Sequence, residues 1–297
     1  MSNVGFIGLG VMGAPMAANL AAGGHAMHVY SRSGPPAHFQ APATVYESAA
    51  EVARAAEVII LMLPDTPDVE SVLFGADGVA QGLSAGKLVI DMSTISPVAT
   101  RRFAEDIAKL GCDYLDAPVS GGEVGAKAAT LTIMVGGTET AFARAHPLFD
   151  LMGKNITLVG GPGAGQTCKA ANQIAVALNI AAVAEALVFA AKSGVDPAAV
   201  RQALMGGFAS SRVLEVHGER MVDRSFAPGF RIDLHRKDLT IALESARALG
   251  LALPQTAGVM QSMNAAHAMG LGQQDHSALV RVLEALSCCP LQPDSPT

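Results

Sequence analysis

The sequence predicts an α/β domain with a doubly wound, mostly parallel sheet, followed by an all-α domain built on one long helix. Short aliphatic runs alternate with helical segments up to about Gly161, which is the pattern of successive βαβ units. Beyond Gly161 the segments are long, rich in alanine and leucine, and helically spaced. The length of 297 residues suits two domains. We therefore expect domains at 1–161 and 162–297.

The first domain is predicted to alternate strands and helices. The strands are expected at Val4–Ile7, Met27–Tyr30, Val58–Met62, Leu88–Asp91, Tyr114–Ala117, Thr132–Val135 and Ile156–Val159. The helices between them are expected at Met12–Ala22, Ala49–Ala55, Val69–Leu73, Pro97–Lys109 and Glu139–Leu148. Region Ser33–Thr44 is rich in proline, which predicts a loop or a degraded turn of helix.

The second domain is predicted to consist of helices. They are expected at Gln166–Ser193, Pro197–Met205, Ser211–Val222, Leu234–Leu249, Pro254–Met269 and Ser277–Leu286. The first would be about 42 Å long. One small domain cannot cover so long an apolar helix, so we expect a homodimer or homotetramer through this domain. The tail 287–297 carries three prolines and is expected to be disordered.

Composition excludes several classes of function. The chain has 20 Lys+Arg against 26 Asp+Glu, 4% aromatic residues and no Trp, which argues against a nucleic-acid partner. The most apolar stretch, Ile174–Ala191, contains Asn179 and Glu185 and predicts a buried helix rather than a membrane span. No Cys-x-x-Cys pair and no signal-peptide pattern occur, so we expect free thiols in the cytoplasm.

A glycine-rich turn follows the first predicted strand. Its hexapeptide is Gly8-Leu9-Gly10-Val11-Met12-Gly13, a G-x-G-x-x-G between a strand and a helix. In that context the glycines permit a tight turn, let a pyrophosphate approach and let helix meet strand. We interpret the domain as a Rossmann-type dinucleotide-binding domain, although a glycine turn can also serve packing alone.

The residues after the second predicted strand bear on the choice of cofactor. This stretch, Ser31-Arg32-Ser33, contains no acid that could bind a ribose 2′-hydroxyl. An arginine and two hydroxyls suit a 2′-phosphate instead. NADP is therefore the preferred cofactor, with NAD as the alternative if Arg32 is only a surface charge.

Other predicted strands end in residues that suit ligand binding. They are Leu63-Pro64, Ser93-Thr94 and Asp116–Gly122. Ligands of open α/β sheets bind outside the carboxyl ends of the strands, so all three segments should border cofactor or substrate. The best anion nest is Ser120-Gly121-Gly122, which offers a hydroxyl and accessible backbone N–H groups.

Lys169 is the candidate catalytic residue. It lies near the start of the long helix, and Asn172 and Gln173 share its face at i+3 and i+4. A lysine here can also cap a carbonyl or pair with an acid. No metal is expected, because the histidines at 217, 235, 267 and 276 lack ligand spacing, and isolated histidines are usually structural.

These motifs together resemble the β-hydroxyacid dehydrogenases, the family that includes 3-hydroxyisobutyrate dehydrogenase. The resemblance covers about Met1 to Leu286 and includes Lys237-Asp238-Leu239. Segments Phe226–Leu239 and Lys169–Glu185 most closely resemble the branch that reduces tartronate semialdehyde to glycerate.

The resemblance implies a role for each matched residue. Lys169 would be the general acid or base, Ser120-Gly121-Gly122 and Asn172 would hold a small anionic oxo or hydroxy acid, and Thr94 and Lys237 would approach the nicotinamide. Many relatives have two asparagines where this chain has Asn172-Gln173, so which amide touches substrate stays open.

The expected reaction is hydride transfer between the cofactor and a short semialdehyde, with Lys169 exchanging the proton at oxygen. Alternatives within the family are reduction of succinic semialdehyde or glyoxylate and oxidation of 3-hydroxyisobutyrate. An alternative of another class is a dinucleotide-binding sensor or scaffold without turnover.

Overall fold

A nine-stranded sheet forms the core of the first half of the chain in a computed structural model that describes residues 2–291. Its strands are β1 (Asn3–Ile7), β2 (Ala26–Tyr30), β3 (Ala43–Val45), β4 (Val58–Leu61), β5 (Leu88–Asp91), β6 (Asp113–Asp116), β7 (Val119–Ser120), β8 (Leu131–Gly136) and β9 (Gly153–Gly160).

The order of the strands is that of a dinucleotide-binding fold. Strands β3-β2-β1-β4-β5-β6 are neighbours in that order, and all these pairs are parallel. This is the Rossmann order 3-2-1-4-5-6. Strand β8 continues the sheet antiparallel to β6 and to β7, and β9 pairs parallel with β8. The parallel strands therefore end at one shared edge of the sheet.

Helices cover both faces of this sheet. They are α1 (Gly13–Ala22), α2 (Ala49–Ala55), α3 (Thr66–Phe74), α4 (Pro97–Lys109), α5 (Gly122–Lys127) and α6 (Glu139–Phe149). Side chains cap the starts of four of them: Ser48 for α2, Asp65 for α3, Ser96 for α4 and Thr138 for α6. Two clusters of buried side chains form the core, one containing Phe6 and Phe149 and the other Ile59 and Phe103.

The chain divides into two compact units, one ending at Lys169 and the other starting at Ala170. Helix α7 (Ala164–Lys192) contains this division, and the remaining helices of the second unit are α8 (Pro197–Leu204), α9 (Arg212–Val222), α10 (Ile232–Ala248), α11 (Pro254–Ala268) and α12 (Val280–Ser287). A 3₁₀ turn, His276–Leu279, precedes α12. Their shared core includes Ile180, Leu239 and Met263.

Helix α7 combines a buried side with an exposed apolar one. Within residues 2–291 it is the one helix long and apolar enough to cross a membrane by length and composition, a test that core helices also pass. Only 39% of its most apolar stretch is buried within this chain. The helix is thus partly covered rather than fully buried by its own unit.

The predicted fold class is confirmed, and three short elements were missed. Strands β3 and β7 have three and two residues, and β3 begins inside the region predicted as loop. Helix α5 begins at a glycine, a poor sequence signal for a helix. The predicted boundary after Gly161 precedes the observed division at Lys169.

The sequence predicts a disordered tail from residue 287, but the structure describes an ordered chain as far as Leu291. Leu291 is buried, and its N–H donates to Glu284 Oε1 at 2.8 Å. Residues 292–297 of that tail lie outside the described residues.

Candidate active site

The glycine turn between β1 and α1 brings three different backbone environments together. Gly8 has φ +99°, and a Cβ there would lie 2.3 Å from the carbonyl oxygen of Met62. Gly13 approaches the Gly8 carbonyl so closely that a Cβ would lie 1.9 Å from it. Nothing lies within 4 Å of a Cβ position at Gly10. The turn is therefore tight on two sides and open at Gly10, as a backbone that cradles a pyrophosphate must be.

The other residues of the hexapeptide differ in exposure. Leu9 is buried in the core, Met12 is half-buried beside it, and Val11 is exposed. Leu9 and Met12 thus attach the turn to the sheet, while Val11 lies at the surface where a ligand can cover it.

The predicted 2′-phosphate site lies beside this turn. Because Ile7 is the register partner of Tyr30, Gly8 and Ser31 follow neighbouring strand ends, and the Gly8 N–H donates to the Tyr30 carbonyl at 2.9 Å. Ser31 is half-buried, whereas Arg32 and Ser33 are exposed. The guanidinium and one hydroxyl are accordingly open to a ligand at this edge.

The loops after β4 and β5 are tied together by Ser93. Its hydroxyl accepts from the Leu63 N–H at 2.9 Å. The same loops contain Pro64, which is exposed, and Thr94, which is half-buried. The predicted cofactor residues Leu63, Pro64 and Thr94 therefore lie in two neighbouring, cross-linked loops at the carboxyl edge of the sheet.

The fully buried carboxyl group of Asp91 stabilises the loop that follows β5. Asp91 Oδ1 accepts from the Ser93 N–H at 2.9 Å, and Oδ2 accepts from the Tyr114 hydroxyl at 3.1 Å. Burial raises the pKa of Asp91 to about 6, against the opposing effect of the bonds from Ser93 and Tyr114. The group therefore titrates near neutral pH.

The predicted anion nest follows β6. Gly121 and Gly122 have φ +134° and +61°, backbone conformations that suit glycine, and Ser120 is half-buried in β7 opposite Thr132. Turns of this kind can line a concavity with successive backbone N–H groups, which is how backbone nests bind anions.

The start of α7 is fixed to the end of β6 by one carboxylate. Asp116 Oδ1 accepts from the Gly163 N–H and Oδ2 from the Gln166 N–H, both at 2.8 Å. Burial raises the pKa of Asp116 from its ordinary value, although the N–H donors oppose this change. Asp116 thus satisfies backbone donors that a helix start leaves unpaired.

Gln166 and close backbone contacts complete this junction. Its side-chain Nε2 donates to the Ser93 carbonyl at 2.7 Å, and its Oε1 accepts from the Ile95 N–H at 3.0 Å. A Cβ on Gly165 would lie 2.4 Å from the Met134 carbonyl. Lys169 follows within one turn and is buried, with 6% of its surface exposed. The lysine is therefore carried on a helix start whose position is determined by three strand ends.

In the second unit, Gln173 is buried and Asn172 is half-buried. Gln173 Nε2 donates to Asp238 Oδ2 at 2.6 Å, and Asn172 Nδ2 donates to Gln173 Oε1 at 2.7 Å. Lys237 Nζ lies 3.1 Å from Asp238 Oδ1. The predicted residues Asn172, Gln173 and Lys237 are thus joined through Asp238.

Sequence reasoning missed a group of histidines in this unit. The sequence indicates that His217, His235 and His276 are isolated, but the structure joins them in one line of hydrogen bonds. With Asp275 they also contain a set of ligand-type residues, His217, Asp275 and His276, found among the described residues. The three histidines are 41 and 59 positions apart in the pairs that touch, so no local spacing could have revealed them.

Comparisons with known proteins agree along nearly the whole chain. Residues 3–161 match the family model of the NAD binding domain of 6-phosphogluconate dehydrogenase. Residues 163–283 match that of NAD-binding of NADP-dependent 3-hydroxyisobutyrate dehydrogenase.

Individual relatives give the same picture. The chain is 59% identical over 286 residues to 2-hydroxy-3-oxopropionate reductase of Escherichia coli (strain K12), covering 96% of this chain and 98% of that protein. It is 39% identical over 287 residues to 2-(hydroxymethyl)glutarate dehydrogenase of Eubacterium barkeri, covering 96% and 95%. The solved structure of Mycobacterium tuberculosis 3-hydroxyisobutyrate dehydrogenase with L-serine matches with a TM-score of 0.86 and 35% identity, covering 95% and 99%.

The sheet order, the glycine turn and these matches define a nicotinamide-dependent dehydrogenase. The chain belongs to the 3-hydroxyisobutyrate dehydrogenase-like family of β-hydroxyacid dehydrogenases. It is an NAD(P)-dependent oxidoreductase of semialdehydes and hydroxy acids, which confirms the expected enzyme class. The matches do not favour the alternative of a dinucleotide-binding sensor or scaffold without turnover.

Proposed function

We propose that this enzyme reduces tartronate semialdehyde to glycerate with NADPH, and that Lys169 is its general acid. The observation that carries the mechanism is the buried Lys169 on a helix start held by Asp116 and Gln166. The 59% identity to a 2-hydroxy-3-oxopropionate reductase supports the substrate over the other semialdehydes.

The proton is moved by this chain's own side chain. When bound, the nicotinamide cofactor supplies the hydride that reduces the aldehyde carbon. Lys169 Nζ donates a hydrogen bond to the aldehyde oxygen, stabilises the negative charge that develops there and gives up its proton to form the hydroxyl. In the oxidising direction the neutral amine takes the same proton back.

The substrate carboxylate is held by Asn172 and by Ser120, Gly121 and Gly122. We assign substrate contact to Asn172 rather than Gln173, because the Gln173 amide is engaged at both Nε2 and Oε1. Donation by Asn172 Nδ2 to Gln173 orients the Asn172 side chain. The carboxylate would use backbone N–H groups of the nest, which cost no side-chain ordering.

The cofactor is held by the residues of the carboxyl edge. Gly8–Gly13 would bind the pyrophosphate, and Leu63, Pro64, Thr94 and Lys237 would line the nicotinamide side. NADPH is preferred because Ser31, Arg32 and Ser33 offer donors and no carboxylate beside Gly8.

The oligomer is a homodimer or homotetramer in the cytoplasm. Along α7, Ala171, Ala175, Ala182 and Phe189 are exposed at helical spacing, with Asn179 and Glu185 between them, and a second copy that covered them would bury this mostly apolar side. The four cysteines are free, which suits a reducing compartment.

A substrate panel tests the function. We would follow NADPH and NADH absorbance with tartronate, succinic and methylmalonic semialdehydes and glyoxylate, comparing kcat/KM. The expected result is the highest kcat/KM for tartronate semialdehyde with NADPH. A higher value for another compound would assign that substrate, and cofactor binding without turnover on any of them would contradict the proposal.

A further inference from the structure

Three histidines of the second unit form a line that ends on α7. His217 Nε2 lies 3.1 Å from His276 Nε2, and His276 Nδ1 lies 2.9 Å from His235 Nδ1. At the inner end, His235 Nε2 lies 3.1 Å from the backbone carbonyl oxygen of Gln173. His235 is fully buried and His276 nearly so. The line thus connects α9, the 3₁₀ turn and α10 to the segment that contains Asn172.

Helix α10 holds Gln173 at two points. His235 contacts its backbone carbonyl, and Asp238, three residues further along α10, accepts from its side-chain Nε2. The remaining side-chain oxygen of Gln173 accepts from Asn172 Nδ2. The orientation of Asn172 therefore depends on how firmly α10 holds Gln173.

The carbonyl at the inner end determines where each proton lies. A carbonyl only accepts, so His235 Nε2 must carry hydrogen, and a neutral His235 must accept at Nδ1. His276 then carries its proton on Nδ1 and accepts at Nε2 from His217 Nε2–H. Burial lowers the pKa of His276 well below its ordinary value, so this central imidazole is neutral.

The outer end of the line faces a carboxylate. His217 Nδ1 lies 3.5 Å from Asp275 Oδ1, and Arg220 lies 3.1 Å from Asp275 Oδ2. Burial acts to raise the pKa of Asp275, but the donors around it, which include the Ser277 hydroxyl and the Phe230 N–H, outweigh burial, and the pKa is lowered.

We propose that His276 is a positioning residue of the substrate site. Donation from its Nδ1 to His235 Nδ1 stabilises the Nε2–H form of His235 that the Gln173 carbonyl requires. His235 in turn holds Gln173, so that Asn172 faces the substrate carboxylate. This inference rests on the proposed role of Asn172 in substrate binding. The tautomers assigned to His276 and His235 do not depend on that role. Because His276 uses both ring nitrogens in the line, its neutral ring has no lone pair left for a metal ion.

Nuclear magnetic resonance on the whole wild-type chain tests the tautomers without any activity. Long-range ¹H–¹⁵N correlation spectra of histidine-labelled protein distinguish Nδ1–H from Nε2–H rings. We expect Nδ1–H for His276 and Nε2–H for His235, although the Nε2–H form predominates in free histidine. An Nε2–H ring at His276, or an Nδ1–H ring at His235, would overturn the proposal.

A matched pair of variants tests the consequence for substrate binding. When asparagine replaces a histidine, its amide nitrogen occupies roughly the place of the ring Nδ1. The amide nitrogen of glutamine occupies roughly the place of the ring Nε2. We expect His276→Asn to keep the KM for tartronate semialdehyde near that of the wild type. His276→Gln should raise it about fivefold, the effect of one neutral hydrogen bond, with kcat and NADPH binding unchanged.

The control is His267→Gln, which alters a histidine that contacts Asp233 on the exposed side of α11. Equal KM values for the two His276 variants would mean a structural role only and would overturn the proposal. If neither variant folds, the wild-type tautomers decide. A wild-type enzyme without turnover on semialdehydes would instead refute the proposed function while leaving the tautomer result valid.

Discussion

Asp116 Oδ2 accepts a hydrogen bond from the backbone N–H of Gln166 at 2.8 Å and thereby joins the end of β6 to the first turn of α7. The other carboxylate oxygen of Asp116, Oδ1, accepts from the Gly163 N–H in the same way. Lys169 follows three residues after Gln166 on the same helix. The position of the candidate acid thus depends on a carboxylate that has no proposed contact with substrate.

Replacing Asp116 by asparagine should impair both folding and turnover. An amide would place N–H₂ against a backbone N–H, leaving a buried donor unpaired at a cost of about 1–3 kcal/mol in the free energy of unfolding. We expect kcat to fall while NADPH binding remains, measured by urea unfolding and steady-state kinetics. The control is Asp113→Asn at the other end of β6, where the side chain makes a surface ion pair with Arg144. Equal effects of the two substitutions would contradict this role.

Loss of Lys169 should remove the proton transfer but not the cofactor. For Lys169→Ala we expect kcat to fall by about 10²–10⁴-fold, with the Kd for NADPH nearly unchanged in fluorescence titration. Lys192→Ala, on the exposed end of the same helix, is the matched control and should retain wild-type kcat. Undiminished turnover in Lys169→Ala would exclude the lysine from the mechanism.

Arg32 should determine the preference for NADPH. Because a charge-assisted bond to the 2′-phosphate contributes about 1.5–3 kcal/mol, Arg32→Ala should raise the KM for NADPH roughly tenfold or more and leave that for NADH almost unchanged. Arg54→Ala, an exposed arginine on α2, provides the comparison. A parallel rise for both cofactors would show that Arg32 does not read the phosphate.

Asp91 should make the stability of the first unit depend on pH. Its pKa of about 6 in the folded chain exceeds the ordinary 3.8, so the stability it contributes below pH 3.8 is lost as pH rises through 6. Asp91→Asn abolishes this loss, and the Tyr114 hydroxyl can rotate to accept from the new amide. Relative to wild type, the variant should gain up to about 3 kcal/mol in unfolding free energy between pH 4 and 8.

Urea unfolding at several pH values measures this difference. The control is Asp77→Asn, at an exposed position of the first unit, and it should show no such trend. A constant difference between wild type and Asp91→Asn at all pH values would mean that Asp91 does not titrate in this range.

The sequence was sufficient for the layout of the first unit because hydrophobic periodicity and the glycine turn are local signals. The short elements β3, β7 and α5 were not predicted, because segments of two to six residues are too short to show a hydrophobic periodicity. The role of Asp116 was not visible either, because its partners Gly163 and Gln166 lie 47 and 50 residues away. The histidine line depends in the same way on the packing of α9, α10 and a 3₁₀ turn.

The junction at the start of α7 also has a consequence for the order of folding. Gln166 bonds Ser93 across 73 residues, and Asp116 bonds Gly163 across 47. Contacts so distant in sequence form late, because the intervening chain must close first. The first turn of α7 therefore gains its side-chain partners only when the ends of β5 and β6 are in place, and the environment of Lys169 depends on long-range closure rather than on local structure.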